Sequence, residues 1–269
     1  MAQLKGSILF SGSVGNIRSY YNKQLKRYIL ATKGGASKEL ILNSPVFART
    51  RENMTEFTAC SLWASQLRKS LRDIAHLHQG YYFSEIVAQA KCIQKHDENH
   101  DRGFRSVASS LFPELLSLIN FNMMHPFDRV LSHGFELQFS QDKKTVILQM
   151  LGFKSFMHLN WPARYQSYRI ALVIAQLPDF NWVAENHEYQ PVCMDMEMLS
   201  VSSFSDWQPC STDMVDIILS ASFAQPALLF PGTTVVVALG IEVASFSPNS
   251  NSPTPSGTGT MKIVECYVS

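Results

Sequence analysis

No apolar run in this chain is both long and uninterrupted enough to cross a bilayer, and no Cys-x-x-Cys pair occurs in it. The first absence excludes a helical membrane span, which needs about 20 consecutive apolar residues. The second excludes the common zinc and dithiol frameworks. There is no G-x-S-x-G elbow and no Gly-Lys-Ser/Thr phosphate loop, so two signatures of nucleophilic and phosphoryl chemistry are missing. The opening MAQLKGSILFSGSVGN carries one Lys and an apolar run only from Ile8 to Phe10, far shorter than a secretory core. Cys60, Cys92, Cys193, Cys210 and Cys266 are odd in number and widely spaced. The expectation is a cytoplasmic, non-secreted chain with reduced cysteines acting as small hydrophobes.

What is present is an ordinary globular composition over 269 residues, 46% hydrophobic and 17% charged. That length accommodates one large domain or two smaller ones. The net charge of +1 conceals a separation. Residues 1–134 hold 17 basic and 10 acidic side chains, a net of +7, and residues 135–269 hold 6 and 12, a net of −6. The first 51 residues contain nine bases against the single acid Glu39. Such asymmetry concerns association rather than fold.

Residues 5–33 read as short strands. Ser7–Phe10 and Ile17–Tyr21 flank the turn-rich Ser11–Asn16, and Tyr28–Ala31 follows before Gly34-Gly35. These strands hold too few apolar residues to form their own core. Residues 44–78 read as a helix. Ser44 is its expected cap, Pro45 is in its first turn, and Phe57, Cys60, Ala64, Leu67, Leu71 and Ile74 form one face. A second helix is expected over about Ser84–Lys95, ended by the polar run from His96 to Gly103. A third is expected over about Arg105–Asn120, with a break or kink at Pro113. From Phe135 the period becomes two. Phe135–Phe139 and Thr145–Leu151 predict a hairpin, and strands are expected at Tyr165–Gln176, Pro191–Val201, Met214–Phe223, Thr234–Phe246 and Thr260–Val268. Val192, Met194, Met196 and Met198 alternate with polar neighbours, whereas Val235–Leu239 is apolar on both faces, like a central strand. Pro248–Gly257 reads as a polar loop. The expected fold class is α+β: a basic β-hairpin arm (1–43), a helical region of about three helices (44–134) and an antiparallel β-sandwich (135–269).

Lys5-Gly6, Gly12 with Gly15-Asn16, Tyr20-Tyr21, Lys33-Gly34-Gly35 and Ser44-Pro45-Val46-Phe47-Ala48-Arg49-Thr50-Arg51-Glu52-Asn53 with Glu56-Phe57 form a pattern. It resembles a family of uncharacterised bacterial proteins, mostly of Bacteroidetes type. Leu239-Gly240-Ile241-Glu242-Val243, followed by a final strand, is similar to the same family. The resemblance implies a helical segment followed by a β-domain and carries no activity or catalytic residue over.

His96, His100 and Asp101, with Asp97 and Glu98, are the densest set of possible metal ligands. On a helix His96 and His100 would share a face. A zincin needs H-E-x-x-H, and here the Glu is displaced by one position, so a polar helix end is the competing reading. Gly12–Asn16 reads as a hairpin turn rather than a phosphate cradle, because a strand follows it. Asp195 and Glu197 would share one strand face. Arg18, Lys23, Lys26, Arg27, Arg49 and Arg51, interleaved with Tyr20 and Tyr21, suit an intersubunit arm. A nucleic-acid surface spanning residues 5–51, with bases stacking on the tyrosines, is the alternative. Trp161, Trp182 and Trp207 are candidates for a glycan site.

The resulting expectation is a non-enzymatic, self-assembling structural protein without cofactor, metal or membrane partner. The alternative is a sandwich-based binding module for glycan or protein, or a nucleic-acid-associated protein.

Overall fold

The computed structural model describes residues 2–3, 9–32, 34–80, 82–193, 200–224, 230–245 and 258–268. The chain divides into two compact units, Met1–Arg51 and Glu52–Ser269.

The smaller unit is a four-stranded antiparallel sheet: β1 (Ala2–Gln3), β2 (Gly12–Val14), β3 (Ile17–Asn22) and β4 (Arg27–Thr32), in the order β1-β4-β3-β2. The turn-rich stretch after Phe10 thus contains a strand of its own. Of the expected strand Ser7–Phe10, Leu9 and Phe10 are not in a strand, while Ser7 and Ile8 lie outside the described residues. The β2–β3 connection is the two-residue loop Gly15-Asn16, with Gly15 at φ +56°. Glycine reaches that conformation without steric cost and is favoured there in tight hairpins. In the β3–β4 turn Leu25 N donates to Asn22 Oδ1 at 2.9 Å. A short helix α1 (Lys38–Asn43) follows, capped by Ser37, whose Oγ accepts from Leu40 N. Nothing in its sequence is periodic, and none of its residues is buried.

Helix α2 (Ala48–Ser70) follows the 3-10 turn Pro45–Phe47. Ser44 makes no side-chain cap; its carbonyl accepts from Arg51 Nη1 at 2.8 Å, as does that of Ile41. The buried face of α2 carries Ala59, Cys60, Trp63, Ala64 and Leu67, but Phe57 is exposed and Glu56 is buried in its place. Beyond Leu71 the chain tightens into the 3-10 segment Arg72–Leu77 and then enters α3 (Tyr82–Gln94). The expected third helix does not form. Residues 109–118 are two 3-10 turns, Ser109–Leu111 and Pro113–Leu118, separated by Phe112 at φ −138°. Proline lacks an N–H and disfavours the α region for the residue before it, so Pro113 breaks the helix rather than kinking it.

Two single turns, α4 (Phe127–Val130) and α5 (Ser155–His158), interrupt a succession of strands. These are β5 (Glu136–Phe139), β6 (Thr145–Phe153), β7 (Ser167–Pro178), β8 (Phe180–Val183), β9 (Glu188–Pro191), β10 (Ser200–Phe204), β11 (Gln208–Pro209), β12 (Val215–Ser222), β13 (Thr233–Ala244) and β14 (Gly259–Val268). All strand pairings are antiparallel. One sheet runs β10-β7-β13-β14 with β11 also on β7, another β12-β6-β5, and β8–β9 is a separate hairpin that the sequence reading did not anticipate. Val192 and Cys193 lie after β9 and outside any strand, contrary to the expected run. Met194–Met198, including Asp195 and Glu197, and the polar loop Pro248–Gly257 lie outside the described residues.

The five-stranded sheet is covered on both faces. Ala171, Val173, Val236, Ala238 and Ile263 pack with the helices and 3-10 turns, while Ile170, Leu172, Val235, Val237 and Leu239 pack with β6 and β12. This explains the patterns along the strands. All twelve residues of β13 are buried, as a two-sided interior strand requires, whereas β12 alternates because only one face meets a core. The helical layer lies close on this sheet at Gly240 and Gly259. A Cβ on Gly240 would stand 2.7 Å from Leu77 Cδ1, and one on Gly259 would stand 2.3 Å from Ile241 O. An added methyl at Gly240, in the LGIE run, would thus have to displace the end of the Leu77 side chain.

Candidate functional site

The N-terminal sheet sorts its side chains by pleat. Directly paired residues share a face, so Val14, Ile17, Tyr21, Tyr28 and Leu30 lie on one side and Arg18, Tyr20, Arg27 and Ile29 on the other. The first face is mainly apolar, with Ser19 and Thr32 also on it, and Tyr21 and Tyr28 pack edge-on at 5.2 Å. Val14, Ile17 and Tyr21 are 66%, 42% and 47% exposed. The second face is basic, with Arg18 over the Tyr20 ring at 5.5 Å. Among the described residues of this unit only Ser19 and Ile29 are buried.

The eight residues singled out for interaction are therefore distributed over several places. Arg18, Arg27 and Tyr20 share one face, and Tyr21 lies on the other. Lys23 and Lys26 sit in the β3–β4 turn, Lys26 at φ +48°. Arg49 is exposed at the start of α2. Arg51 spans the carbonyls of Ile41 and Ser44 and so holds local chain geometry. A stacking surface that combined both tyrosines with the bases does not form on one face.

The histidine–aspartate cluster is organised differently from the helix-face expectation. α3 ends at Gln94, so His96 and His100 are not on a helix. His96 Nδ1 lies 2.9 Å from Cys92 O, and its ring lies on Phe112 at 4.7 Å. His100 Nδ1 is 2.8 Å from Asp97 Oδ2. Asp101 is exposed in the following turn, where its carbonyl accepts from Phe104 N. Among the described residues no three His, Cys, Asp or Glu side chains converge to hold a metal ion.

Asp97 also accepts from Ser106 N, Asn99 N and His100 N at 2.6, 3.0 and 3.3 Å. Burial works against its charge, but these bonds hold it below the usual carboxylate range. Beside it, a second carboxylate comes from far along the chain. Asp179 follows β7 directly, and its backbone is held by Gly232 O and Val192 N. Its side chain accepts from Ser109 Oγ at 3.1 Å, from Ser110 N at 2.9 Å and from Ser110 Oγ. Burial pushes Asp179 upward against those bonds. Asp97, Ser106, Ser110, Asp179 and Asn181 line one hollow of about 270 Å³, walled on its apolar side by Ile93, Phe112 and Val192.

Two further carboxylates are buried and paired. Glu56 receives Arg105 Nε and Nη2 at 2.6 and 2.7 Å, Gly103 N at 2.9 Å and Lys91 Nζ. Its burial is outweighed by these donors, which depress it to about 2. Glu242 pairs with both Arg169 nitrogens at 3.0 and 3.1 Å and lies 3.0 Å from His76 Nε2. Arg169 lies over Phe204 at 4.7 Å and Trp207 at 4.9 Å. Both assemblies join distant segments and expose no reacting group.

The tryptophans have separate surroundings. Trp161 lines an open hollow of about 620 Å³ with Arg164 and Tyr165, Trp182 packs on Phe104 and Tyr189, and Trp207 is held by Arg169. No helix among the described residues is long and apolar enough to cross a membrane.

Sequence reasoning passed over Asp179, Ser106 and Ser110 because no local spacing links them; the fold alone joins residues 97–110 to 179–181. Glu56 carried a signal, a lone acid in step with an apolar helical face. Comparison of the chain with protein-family models, curated proteins and solved structures gives no match.

Proposed function

We propose that the protein is a self-assembling structural subunit, of a filament, sheath or particle, joined through its N-terminal sheet. The observation that carries this reading is the set of exposed apolar side chains Val14, Ile17 and Tyr21, on the face that also holds the buried Ser19, of a sheet that buries almost nothing else within its own unit. A soluble chain leaves such a face open when another surface covers it. Charge supports a second copy as the cover. Residues 1–51 carry nine bases and one acid, a net of +8, and residues 52–269 carry 14 bases and 21 acids, a net of −7. A basic sheet on one copy and an acidic body on the next make a heterologous contact, which propagates into rings or filaments. The two sheets that share a core in the larger unit are read here as a β-sandwich, with open strand edges available for the same purpose.

The test is light scattering with negative-stain microscopy of the full chain and of the double variant Val14→Asp/Ile17→Asp. The reading expects ordered particles or filaments from the first and monomers from the second. A full chain that remains monomeric at high concentration and low salt overturns it. The hollow at Trp161, Arg164 and Tyr165 keeps a binding-module reading in play; glycan binding by a stable monomer would favour it.

A further inference from the structure

The sheet β12-β6-β5 has two unlike faces. Val146, Leu148, Met150, Ile217 and Leu219 point into the core. The alternate residues lie on the outer face, where Gln149 stands between Glu136 and Ile218, and Ile147 between Gln138 and Ser220. Leu151 and Ile218 on that face are more than half exposed, and so is Met214. Met214 continues the apolar row past the strand end, for a Cβ on Gly152 would stand 3.6 Å from its Sδ. At one end of the face His133, Phe135, Glu136, Gln149 and Leu151 line a hollow of about 300 Å³. Strands β5, β6 and β12 contain two acids, Glu136 and Asp216, and no Lys or Arg. The solvated face of an antiparallel sheet is ordinarily polar, so exposed Leu, Ile and Met beside a hollow mark a contact surface.

Given assembly through the N-terminal sheet, on which this rests, we propose that the outer face of β12-β6-β5 is the surface that receives that sheet from a second copy. Two properties select this occupant. Each surface is one face of an antiparallel sheet with exposed apolar residues, Val14, Ile17 and Tyr21 on the incoming side and Leu151 and Ile218 on the receiving side. Sheets bury such faces by stacking on one another. Charge is the second property. Glu136 pairs with Gln149 at the hollow, and Asp216 accepts from Gly152 N at 2.7 Å, so both acids flank Leu151. On the incoming sheet Tyr21 pairs with Tyr28 beside the β3–β4 turn, which carries the exposed Lys23 and Lys26. Seating Tyr21 in the hollow brings those lysines toward those acids. Tyrosine in a pocket is a common interface anchor. Two acidic receiving faces repel each other, which disfavours a symmetric pair built from them alone. Donor and receiver are different surfaces, so the contact repeats from copy to copy.

The test mixes two variants of the full chain, each checked for folding by circular dichroism. Val14→Asp/Ile17→Asp spoils the incoming sheet and keeps the receiving face; Leu151→Asp/Ile218→Asp does the reverse. Light scattering should find each monomeric alone. An equimolar mixture should form dimers and stop there, because only one intact contact can be made. Tyr21→Ala should weaken association of the otherwise unaltered chain about tenfold, as loss of an anchor does. Glu136→Lys and Lys23→Glu/Lys26→Glu should each weaken it by about threefold, and the two combined in one chain should recover most of the loss. That charge exchange decides the matter should Leu151→Asp/Ile218→Asp fail to fold. Normal assembly of Leu151→Asp/Ile218→Asp, with Val14→Asp/Ile17→Asp monomeric, overturns this receiving face and leaves assembly through the N-terminal sheet standing. A mixture that stays monomeric, or a charge exchange that recovers nothing, does the same. A monomeric parent, or normal assembly of Val14→Asp/Ile17→Asp, overturns both.

Discussion

Arg105 grips Glu56 with two nitrogens, Nε 2.6 Å from Oε1 and Nη2 2.7 Å from Oε2, and so ties the loop after α3 to the middle of α2. Gly103 N and Lys91 Nζ complete the carboxylate's partners. Gln94 bonds the Glu56 and Arg105 carbonyls, and Tyr189 OH donates to the carbonyl of Gly103 or Arg105. Glu56→Ala would leave two cations facing a buried gap, a change that costs about 3–5 kcal/mol. Urea denaturation should show that loss in the midpoint. A variant within about 0.5 kcal/mol of the parent, the range of ordinary surface changes, would show that the network is dispensable.

The same carboxylate sets a pH dependence. Glu56 is depressed to about 2 in the folded protein, below its ordinary value. A group with a lowered folded pKa contributes stability above its unfolded pKa and loses it as pH falls toward the folded one. Melting temperature should therefore fall between about pH 5 and pH 2, and more steeply in the parent than in Glu56→Gln, which has no proton to take up. Parallel curves for the two proteins would assign acid sensitivity to other carboxylates.

Gly259→Ala tests the close packing of the 3-10 segment Arg72–Leu77 on the sheet. The added Cβ would stand 2.3 Å from Ile241 O and 2.6 Å from Leu77 Cδ2, and backbone cannot step aside as a side chain can. The cost should be at the upper end of overpacking, about 3 kcal/mol, read as a lowered denaturation midpoint. Unchanged stability would mean that β14 can move away from β13 locally.

Much of this fold could be read from residue order. Val235–Leu239 announced an interior strand because both pleat faces were apolar, and Pro113 announced a break or a kink without deciding which. The outcome at Phe57 and Glu56 could not be read that way. Periodicity assigns the apolar residue inward, and only the distant Arg105, Lys91 and Gly103 reverse the choice. The hollow at Asp179 is less legible still. Its residues are individually ordinary, and Ser110 and Asp179 stand about seventy positions apart. No spacing rule links them, because the link is made by the β7 end meeting the 3-10 turn Ser109–Leu111. His96 and His100 were conspicuous by proximity, yet the helix that would have aligned them ends at Gln94.

The thiols separate by environment. Cys60 is fully buried, and burial raises it to about 11; its Sγ donates to Gln94 Oε1 at 3.4 Å. Cys92 is exposed. Thiolate is the reactive form, so a disulfide reagent at neutral pH should label Cys92 at once and Cys60 only after denaturant is added. Mass mapping of the labelled peptides checks the order, and fast labelling of Cys60 would indicate that α2 opens from the core.

Assembly through the N-terminal sheet makes a prediction in two separable parts, because the sheet's faces differ. The apolar face supplies contact area, and it should govern affinity; Val14→Asp/Ile17→Asp places charge on it and should dissolve the assembly at any ionic strength. The basic face and the β3–β4 turn supply steering and orientation. Reversing Arg18, Lys23, Lys26 and Arg27 to Glu should slow and weaken association, and raising salt from about 0.05 to 0.5 M should do the same to the parent, since exposed ion pairs are screened over a Debye length of about 10 Å at 0.1 M. Salt should leave the charge-reversed variant nearly unaffected. Deleting residues 1–35 removes both faces together and should leave a folded, non-associating larger unit, its fold checked by circular dichroism and its size by light scattering. Normal assembly of the truncated chain would place the contact elsewhere. Assembly that survives the aspartates but fails on charge reversal would make the basic face, and not the apolar one, the joining surface.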